Sequence, residues 1–143
     1  MKILVDADSC PKLTRDAIIR AVKRTGIQGI FAANRPIPGI PPVGLCRMEL
    51  CETHQGAADD RIVELAEPGD LVITRDIPLA SRLVEAHISV LDDRGRLYTR
   101  ENIRERLSLR DFMVGLAEQG LGAERIASYG KKELKAFADG FDR

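Results

Sequence analysis

The chain has 143 residues, 44% of them hydrophobic and 31% charged, and its formal net charge is zero. These values predict one soluble globular domain over residues 1–143, long enough to bury a single core. The chain has no apolar run near the roughly 18 residues of a membrane span and no secretory signal, so we expect a cytoplasmic protein with no membrane partner. It also lacks the basic surplus typical of non-specific nucleic-acid binding. Its three cysteines follow no metal-finger spacing and are expected to be free thiols.

The first ten residues predict a short strand that ends in carboxylates. Residues 3–5 are an apolar, strand-forming run, which stops at Asp6, and Asp8 follows two positions later. Open α/β sheets bind ligands beyond the carboxyl ends of their strands, so these two acids are candidates for an active site. The alternative is a strand followed by an ordinary polar turn.

The next fifty residues predict a βαβ unit and an edge strand. Apolar residues spaced by three and four indicate a helix over 12–25, and residues 27–33 read as a second strand that ends at Asn34. Residues 35–44 contain four prolines and two glycines, which predicts a stiff extended loop. The alternating pattern of residues 46–50 then indicates a half-exposed strand at a sheet edge, of either direction.

Two further acids fall at positions where the fold would expose them to a ligand. A helix is predicted over 57–67, and Asp59 extends its buried apolar stripe toward the helix N-terminus. The alternative is that Asp59 only caps the first turn or interacts favourably with the helix dipole. A strand over 71–74 is followed by Asp76, which precedes a helix with Pro78 in its first turn. Asp76 is therefore an N-cap candidate that could also bind a metal.

The rest of the chain is predicted to be a strand over 88–91, a turn over 92–95 and then helices. Thr99 can cap a short helix, and Ser108 has the capping-box spacing that would open a second one. A last helix, about residues 131–139, has apolar residues on one side and lysines on the other.

This order of elements brings Asp6, Asp8, Asp59 and Asp76 to one end of one sheet. Four converging carboxylates repel one another unless cations neutralise them, and Arg75 could neutralise one or two. Ligands that are all oxygen favour Mg²⁺ or Mn²⁺ over zinc. Such a site supports phosphoryl transfer, in which the ions lower the pKa of an attacking water and stabilise the leaving oxygen.

Several segments resemble the YaiI/YqxD family of bacterial proteins. They are residues 5–11, 58–63, 69–80, 94–99, 102–103 and 107–113, of which Gly-Asp-Leu-Val-Ile-Thr-Arg-Asp-Ile-Pro-Leu-Ala (69–80) is the longest. That family is similar to PIN-domain nucleases, which implies a three-layer α/β/α fold with a mostly parallel central sheet, C-terminal helices and an acidic metal-binding pocket. The family pattern often has Asp where Gly56 stands, and Gly where His87 stands.

The resemblance also implies roles for individual residues. The acidic positions of the family match Asp6, Asp8, Asp59 and Asp76 of this chain. The resemblance places Asn34, Thr74 and Arg110 near them, and we expect these three residues, together with Arg75, to contact phosphates. Residues 75–110 contain eight arginines, no lysine and six acids, which leaves a local surplus of two positive charges.

The leading hypothesis is a Mg²⁺- or Mn²⁺-dependent nuclease that acts on RNA. A second hypothesis is a catalytically weak or inactive module that binds RNA or a protein partner. A third is a haloacid-dehalogenase-like phosphatase, because Asp-x-Asp after a strand also opens that family, with Asp6 as nucleophile and Asp8 as acid. The sequence leaves open whether the protein forms a homodimer.

Overall fold

A single sheet of five strands organises the protein in a computed structural model, which describes residues 1–53, 56–118 and 131–141. The strands are β1 (Lys2–Asp6), β2 (Gln28–Ala33), β3 (Cys46–Leu50), β4 (Leu71–Ile73) and β5 (Ser89–Leu91). The helices are α1 (Lys12–Thr25), α2 (Ala57–Leu65), α3 (Ile77–Glu85), α4 (Arg100–Glu118) and α5 (Lys131–Phe141), with a 3₁₀ turn at Ala7–Ser9. The strand order is β3-β2-β1-β4-β5, and every neighbouring pair is parallel.

Helices cover both faces of the sheet, because side chains alternate along each strand. Ile3 and Val5 of β1 point to one face, where they pack with residues of α1 and α5. Leu4 points to the other face and packs with residues of α2, α3 and α4. The predicted three-layer α/β/α architecture is therefore confirmed.

The predicted βαβ unit is also confirmed. Helix α1 ends at Gly26, whose φ of 74° is the left-handed conformation that glycine adopts without strain. Gly29 lies under this helix, and a Cβ there would approach Cγ2 of Val22 to 2.7 Å. The close packing of α1 on β2 therefore depends on a residue without a side chain.

Strand β3 lies at the sheet edge, as predicted, and the structure settles its direction as parallel to β2. No helix lies between these two strands, since the connection is the proline-rich loop 34–45. The loop returns along the outer side of β3, where Met48 N donates to Pro41 O over 2.8 Å. It thereby satisfies part of an edge that would otherwise be open to another strand.

The C-terminal helices differ from the sequence prediction in one respect. Thr99 caps α4, since its Oγ1 accepts from Asn102 N at 3.1 Å and its N donates to Asn102 Oδ1 at 2.9 Å. The predicted break at Ser108 is wrong, because α4 runs on to Glu118. Residues 100–107 contain no proline or glycine that would interrupt the helix. None of the described helices has both the length and the hydrophobicity to cross a bilayer.

Helix α5 and the cysteines agree with the sequence prediction. Phe137 is fully buried, and its ring stacks on that of Phe141 with centroids 5.2 Å apart. Cys10, Cys46 and Cys51 are all free.

The position where the resembled family has glycine carries backbone strain in this chain. His87, between α3 and β5, has a φ of 63°, and this left-handed conformation costs a residue with a side chain roughly 1–2 kcal/mol. We expect His87→Gly to raise the free energy of unfolding by about 0.5–1 kcal/mol, because glycine relieves the strain but gains freedom in the unfolded chain. Urea denaturation measures the change.

The neighbouring residue supplies the control. Ala86 has a φ of −85°, so Ala86→Gly relieves no strain and is expected to lower stability. A His87→Gly variant that is less stable than the wild type would show that His87 is not strained.

Candidate metal centre

The candidate site lies where β1 and β4 end side by side. The two strands are in register with Val5 opposite Ile73, so Asp6 and Thr74 follow at adjacent positions. By strand alternation both point to the face that α2 and α3 cover. The chain winds outward from β1 through β2 to β3 and then returns to β4 on the other side of β1. This is the topological switch point at which open α/β sheets bind ligands.

Three of the predicted carboxylates converge at this point. Asp6, Asp59 and Asp76 each offer one carboxylate oxygen, and the three oxygens lie within 4.8 Å of one another. Asp6 ends β1, Asp59 lies in the first turn of α2, and Asp76 precedes α3. The prediction that Asp59 lies on the inward face of its helix is thus confirmed. We refer to Asp6, Asp59 and Asp76 as the acidic centre.

The hydroxyl of Thr74 fixes two members of the acidic centre. Asp6 is 5% exposed, and its Oδ2 accepts from Thr74 Oγ1 at 2.8 Å and from Ser9 Oγ at 3.0 Å. The same Thr74 oxygen accepts from Asp76 N at 3.0 Å. Because the one hydroxyl proton of Thr74 is donated to Asp6, Thr74 orients the acidic centre and has no proton to give a phosphate.

Asp76 is an N-cap, as the sequence predicts. Its Oδ1 accepts from Leu79 N at 3.0 Å in the first turn of α3. That bond occupies one carboxylate oxygen and leaves the other for the acidic centre.

The acidic centre holds negative charge that no ion pair neutralises in the described part of the chain, although the charge of Arg82 lowers the pKa of Asp59. Burial raises the pKa of Asp6, against the hydrogen bonds from Thr74 and Ser9, and the charges of Asp76 and Asp8 raise it further. Burial, followed by the charges of Asp76 and Asp6, raises the pKa of Asp59 to about 6. In the described part of the chain no lysine or arginine forms an ion pair with these three carboxylates.

A divalent cation fits this donor set. The three described side chains offer carboxylate oxygens, which suit Mg²⁺ or Mn²⁺ better than zinc. Burial first, and the charges of neighbouring carboxylates second, raise the pKa values of Asp6 and Asp59, and a bound cation would oppose both effects.

Asp8, the fourth predicted acid, lies outside the acidic centre. Its side chain is exposed, and its Oδ2 accepts from Asn34 N at 3.2 Å. The 3₁₀ turn Ala7–Ser9 ends the two-residue alternation of β1, so a residue two positions after Asp6 no longer points to the same face. Asp8 instead lines a neighbouring cleft with Arg15 and Arg35. The Asn34 side chain has a buried Oδ1 without a hydrogen-bond partner in the described structure.

Of the two predicted arginines, the structure describes the side chain of Arg75, which binds elsewhere. Arg75 forms an ion pair with the buried Asp93, and its Nε donates to Asp93 Oδ2 at 3.0 Å. The expectation that Arg75 neutralises the acidic centre is therefore wrong. Arg110 lies in α4, and its side chain is outside the described residues.

Sequence reasoning missed two residues that shape the site. Ser9 donates to Asp6 from three residues away, a spacing typical of a local polar turn. Tyr98 is buried, and its hydroxyl donates to Thr74 O at 3.2 Å, a contact across 24 residues that no local pattern reveals. Cys10 adds no nucleophile, because burial raises the pKa of its thiol to about 12.

Comparison of the sequence with known proteins assigns the chain to a family. The model described as "Uncharacterized BCR, YaiI/YqxD family" matches residues 4–143. The chain belongs to the YaiI/YqxD family. No solved structure matches the chain significantly.

Relatives in this family are similar along the whole chain, and each of the following is named UPF0178 protein. The Treponema pallidum protein is 48% identical over 143 residues, which cover 100% of this chain and 80% of the relative. The Syntrophobacter fumaroxidans protein is 46% identical over 145 residues, which cover 100% of this chain and 93% of the relative. An Aliivibrio fischeri protein is 43% identical over 143 residues, which cover 100% of this chain and 95% of the relative.

The hydroxyl of Thr74 is tested by two substitutions. Thr74→Val removes one of the two hydroxyl donors to the buried Asp6 carboxylate and leaves Asp76 N without an acceptor, so we expect a loss of about 1–3 kcal/mol in unfolding free energy at pH 8. The loss should shrink toward pH 4, because protonated Asp6 needs no donor. Thr74→Ser keeps the hydroxyl, so its smaller loss should not change with pH. Equal pH profiles for the two variants would contradict this role of Thr74.

The raised pKa of Asp59 predicts how stability depends on pH without metal. Between its ordinary value of 3.8 and about 6, the folded protein binds more protons than the unfolded chain, so stability falls as pH rises. In buffer with EDTA, we expect Asp59→Asn to be about 1 kcal/mol more stable than the wild type at pH 8, after allowance for solvent screening. The gain should disappear near pH 4.

Thermal denaturation across pH measures this gain, and Asp60→Asn is the control. Asp60 is adjacent and exposed and forms an ion pair with Arg82 at 3.1 Å, so its substitution removes a favourable contact and should give no pH-dependent gain. The absence of any gain for Asp59→Asn at pH 8 would show that the acidic centre is not repulsive.

Proposed function

We propose that this protein is a divalent-metal-dependent nuclease that hydrolyses phosphodiester bonds in RNA. The observation that carries the proposal is the convergence of the carboxylate oxygens of Asp6, Asp59 and Asp76 within 4.8 Å at the switch point of the sheet. Such a site occurs where carboxylates and substrate phosphate oxygens share Mg²⁺ or Mn²⁺.

Each residue of the acidic centre has a role in this proposal. Asp6, Asp59 and Asp76 would hold the ion, and Thr74 and Ser9 orient the Asp6 carboxylate and favour its ionised form against the effect of burial. A divalent ion, when bound, would supply Lewis-acid stabilisation of the charge that develops on the phosphate. Asp8 lies at the rim and acts at longer range, since its charge raises the pKa of Asp6.

A second candidate function is a module that binds RNA or a protein without cleavage. Two observations favour it. Gly56, at the N-cap of α2, supplies no carboxylate where the family pattern often has Asp, and Asp8 does not join the acidic centre. Three acids would then hold the ion, whereas the nuclease hypothesis expects four.

The phosphatase hypothesis has the least support. It requires Asp8 to act as an acid beside the nucleophile Asp6. The Asp8 carboxylate is exposed and accepts from Asn34 N, away from the group that Asp6 forms with Asp59 and Asp76.

Cleavage of labelled single-stranded RNA with Mn²⁺ or Mg²⁺ tests the proposed function. We expect Asp6→Asn and Asp76→Asn to lower the rate by about 100-fold or more, because each removes a charge that stabilises the bound ion. Asn remains a good N-cap, so Asp76→Asn should keep α3 folded. Asp60→Asn, an exposed acid on α2, should cleave like the wild type.

Thermal stability with Mn²⁺ separates catalysis from binding. At a concentration 100 times its Kd, the ion should stabilise the wild type by about 2.7 kcal/mol, and Asp76→Asn should lose this gain. Mn²⁺ binding without cleavage would favour the non-catalytic module. Wild-type protein that neither binds Mn²⁺ nor cleaves RNA would refute the proposal.

A further inference from the structure

A groove lies between the turn after β5 and helix α4, beside the acidic centre. Its lining includes Ile77, Arg94, Arg96, Arg106, Leu109 and Met113. Ile77 directly follows Asp76, so one end of the groove adjoins the acidic centre. We name it the arginine groove and propose that it binds a single-stranded nucleic acid, with Arg94 and Arg96 on the phosphates and α4 against the bases. This inference rests on the proposed function only in naming the strand as the substrate of the acidic centre.

Two arginines of the groove are available to a ligand. Arg106 Nη2 donates to the buried Asp92 at 2.8 Å, and that carboxylate neutralises it. Arg94 and Arg96, in contrast, form no ion pair with any carboxylate in the described part of the chain. Among the described residues of the groove lining Glu105 is the only acid, so their charge is positive on balance.

A buried carboxylate holds the backbone that carries these two arginines. Asp92 is 4% exposed, and its Oδ1 accepts from Arg94 N at 2.8 Å and from Arg96 N at 2.9 Å. Asp92 N also donates to Arg96 O at 2.9 Å. The turn is therefore rigid before a ligand arrives, so binding orders only the side chains and costs less conformational entropy.

The opposite wall of the groove is apolar and exposed. Leu109 is 61% exposed and Met113 is 37% exposed. They lie four residues apart on α4 and so share one face of the helix. Exposed apolar side chains of this kind can pack against the faces of unpaired bases, which a duplex hides in its stack. The combination of free guanidinium groups and an apolar wall favours a single strand over a duplex or a free phosphate.

Contacts join the floor of the groove to the acidic centre. The Arg106 guanidinium lies over the ring of Tyr98, 4.0 Å from its centroid. The Tyr98 hydroxyl donates to Thr74 O at 3.2 Å, and Thr74 in turn donates to Asp6. A strand bound in the groove is thus held against the same unit that positions the carboxylates.

Binding without catalysis tests the inference. Wild-type protein in EDTA is titrated into fluorescein-labelled single-stranded RNA of about 12 nucleotides at several NaCl concentrations, with fluorescence anisotropy as the readout. We expect the double variant Arg94→Gln/Arg96→Gln to bind about 10-fold or more weakly. The slope of the logarithm of the binding constant against the logarithm of the NaCl concentration should become shallower by about 1.4. This change corresponds to the loss of two phosphate contacts.

Matched variants separate charge from position. Arg20→Gln/Lys23→Gln removes the same charge from exposed sites on α1, which covers the other face of the sheet, and should change affinity less than about 2-fold. Leu109→Gln should weaken binding several-fold without a change in salt slope, because it removes apolar contact and no charge. Thermal denaturation confirms that each variant is folded.

The outcomes distinguish this inference from the proposed function. Arginine-dependent binding of single strands without cleavage supports the groove and refutes the nuclease. Cleavage whose KM is unchanged in the double variant refutes the groove and supports the nuclease. Failure to bind at low salt, or tighter binding of duplex than of single strand, would refute binding in the arginine groove.

Single-stranded DNA of the same sequence tests which groups of the nucleic acid are recognised. Equal binding of DNA and RNA supports recognition through phosphates and bases, whereas weaker DNA binding supports a groove that also contacts the 2′-hydroxyl.

Discussion

The hydrogen bond from Thr74 Oγ1 to Asp6 Oδ2 is the interaction on which the rest of the candidate site depends. It joins the ends of β1 and β4, which lie 68 residues apart in sequence, at the point where the chain reverses its winding direction. The same oxygen accepts from Asp76 N, so one hydroxyl sets the position of two carboxylates and the start of α3. Asp59 then completes the group from α2.

The carboxylates of the acidic centre and those of the turn after β5 differ in how their charge is neutralised. In the acidic centre three carboxylates face one another and form no ion pair with a described lysine or arginine, and burial raises the pKa of Asp6 and Asp59. Close by, the buried Asp92 and Asp93 are each paired with an arginine. The cluster of carboxylates in the acidic centre lowers stability, because like charges in a half-buried site oppose folding. This contrast is typical of functional sites, where local stability is lost for the sake of chemistry.

A net charge of zero conceals this separation of charge. The acids that face the switch point and the arginines of the neighbouring turn cancel in a sum over the chain but not in space. A nucleic-acid strand has a negatively charged backbone. It would meet positive charge along the arginine groove and would need a cation only where it reaches the carboxylates. The net charge of a protein therefore bears on its solubility and non-specific binding, but it does not indicate the charge at a local site.

The sequence by itself determined the elements and most of the candidate acids. Helical and strand periodicity predicted β1, α1, β4 and α5, and Asp6 and Asp76 follow strands whose carboxyl ends must meet at one edge. Tertiary structure alone decided which of these acids touch. The 3₁₀ turn after β1 moves Asp8 away from the acidic centre, and Arg75 pairs with Asp93, 18 residues later, and not with the carboxylates beside it in sequence. Local patterns constrain the backbone within a turn or a strand, whereas the partner of a charged side chain is chosen by which elements pack together in space.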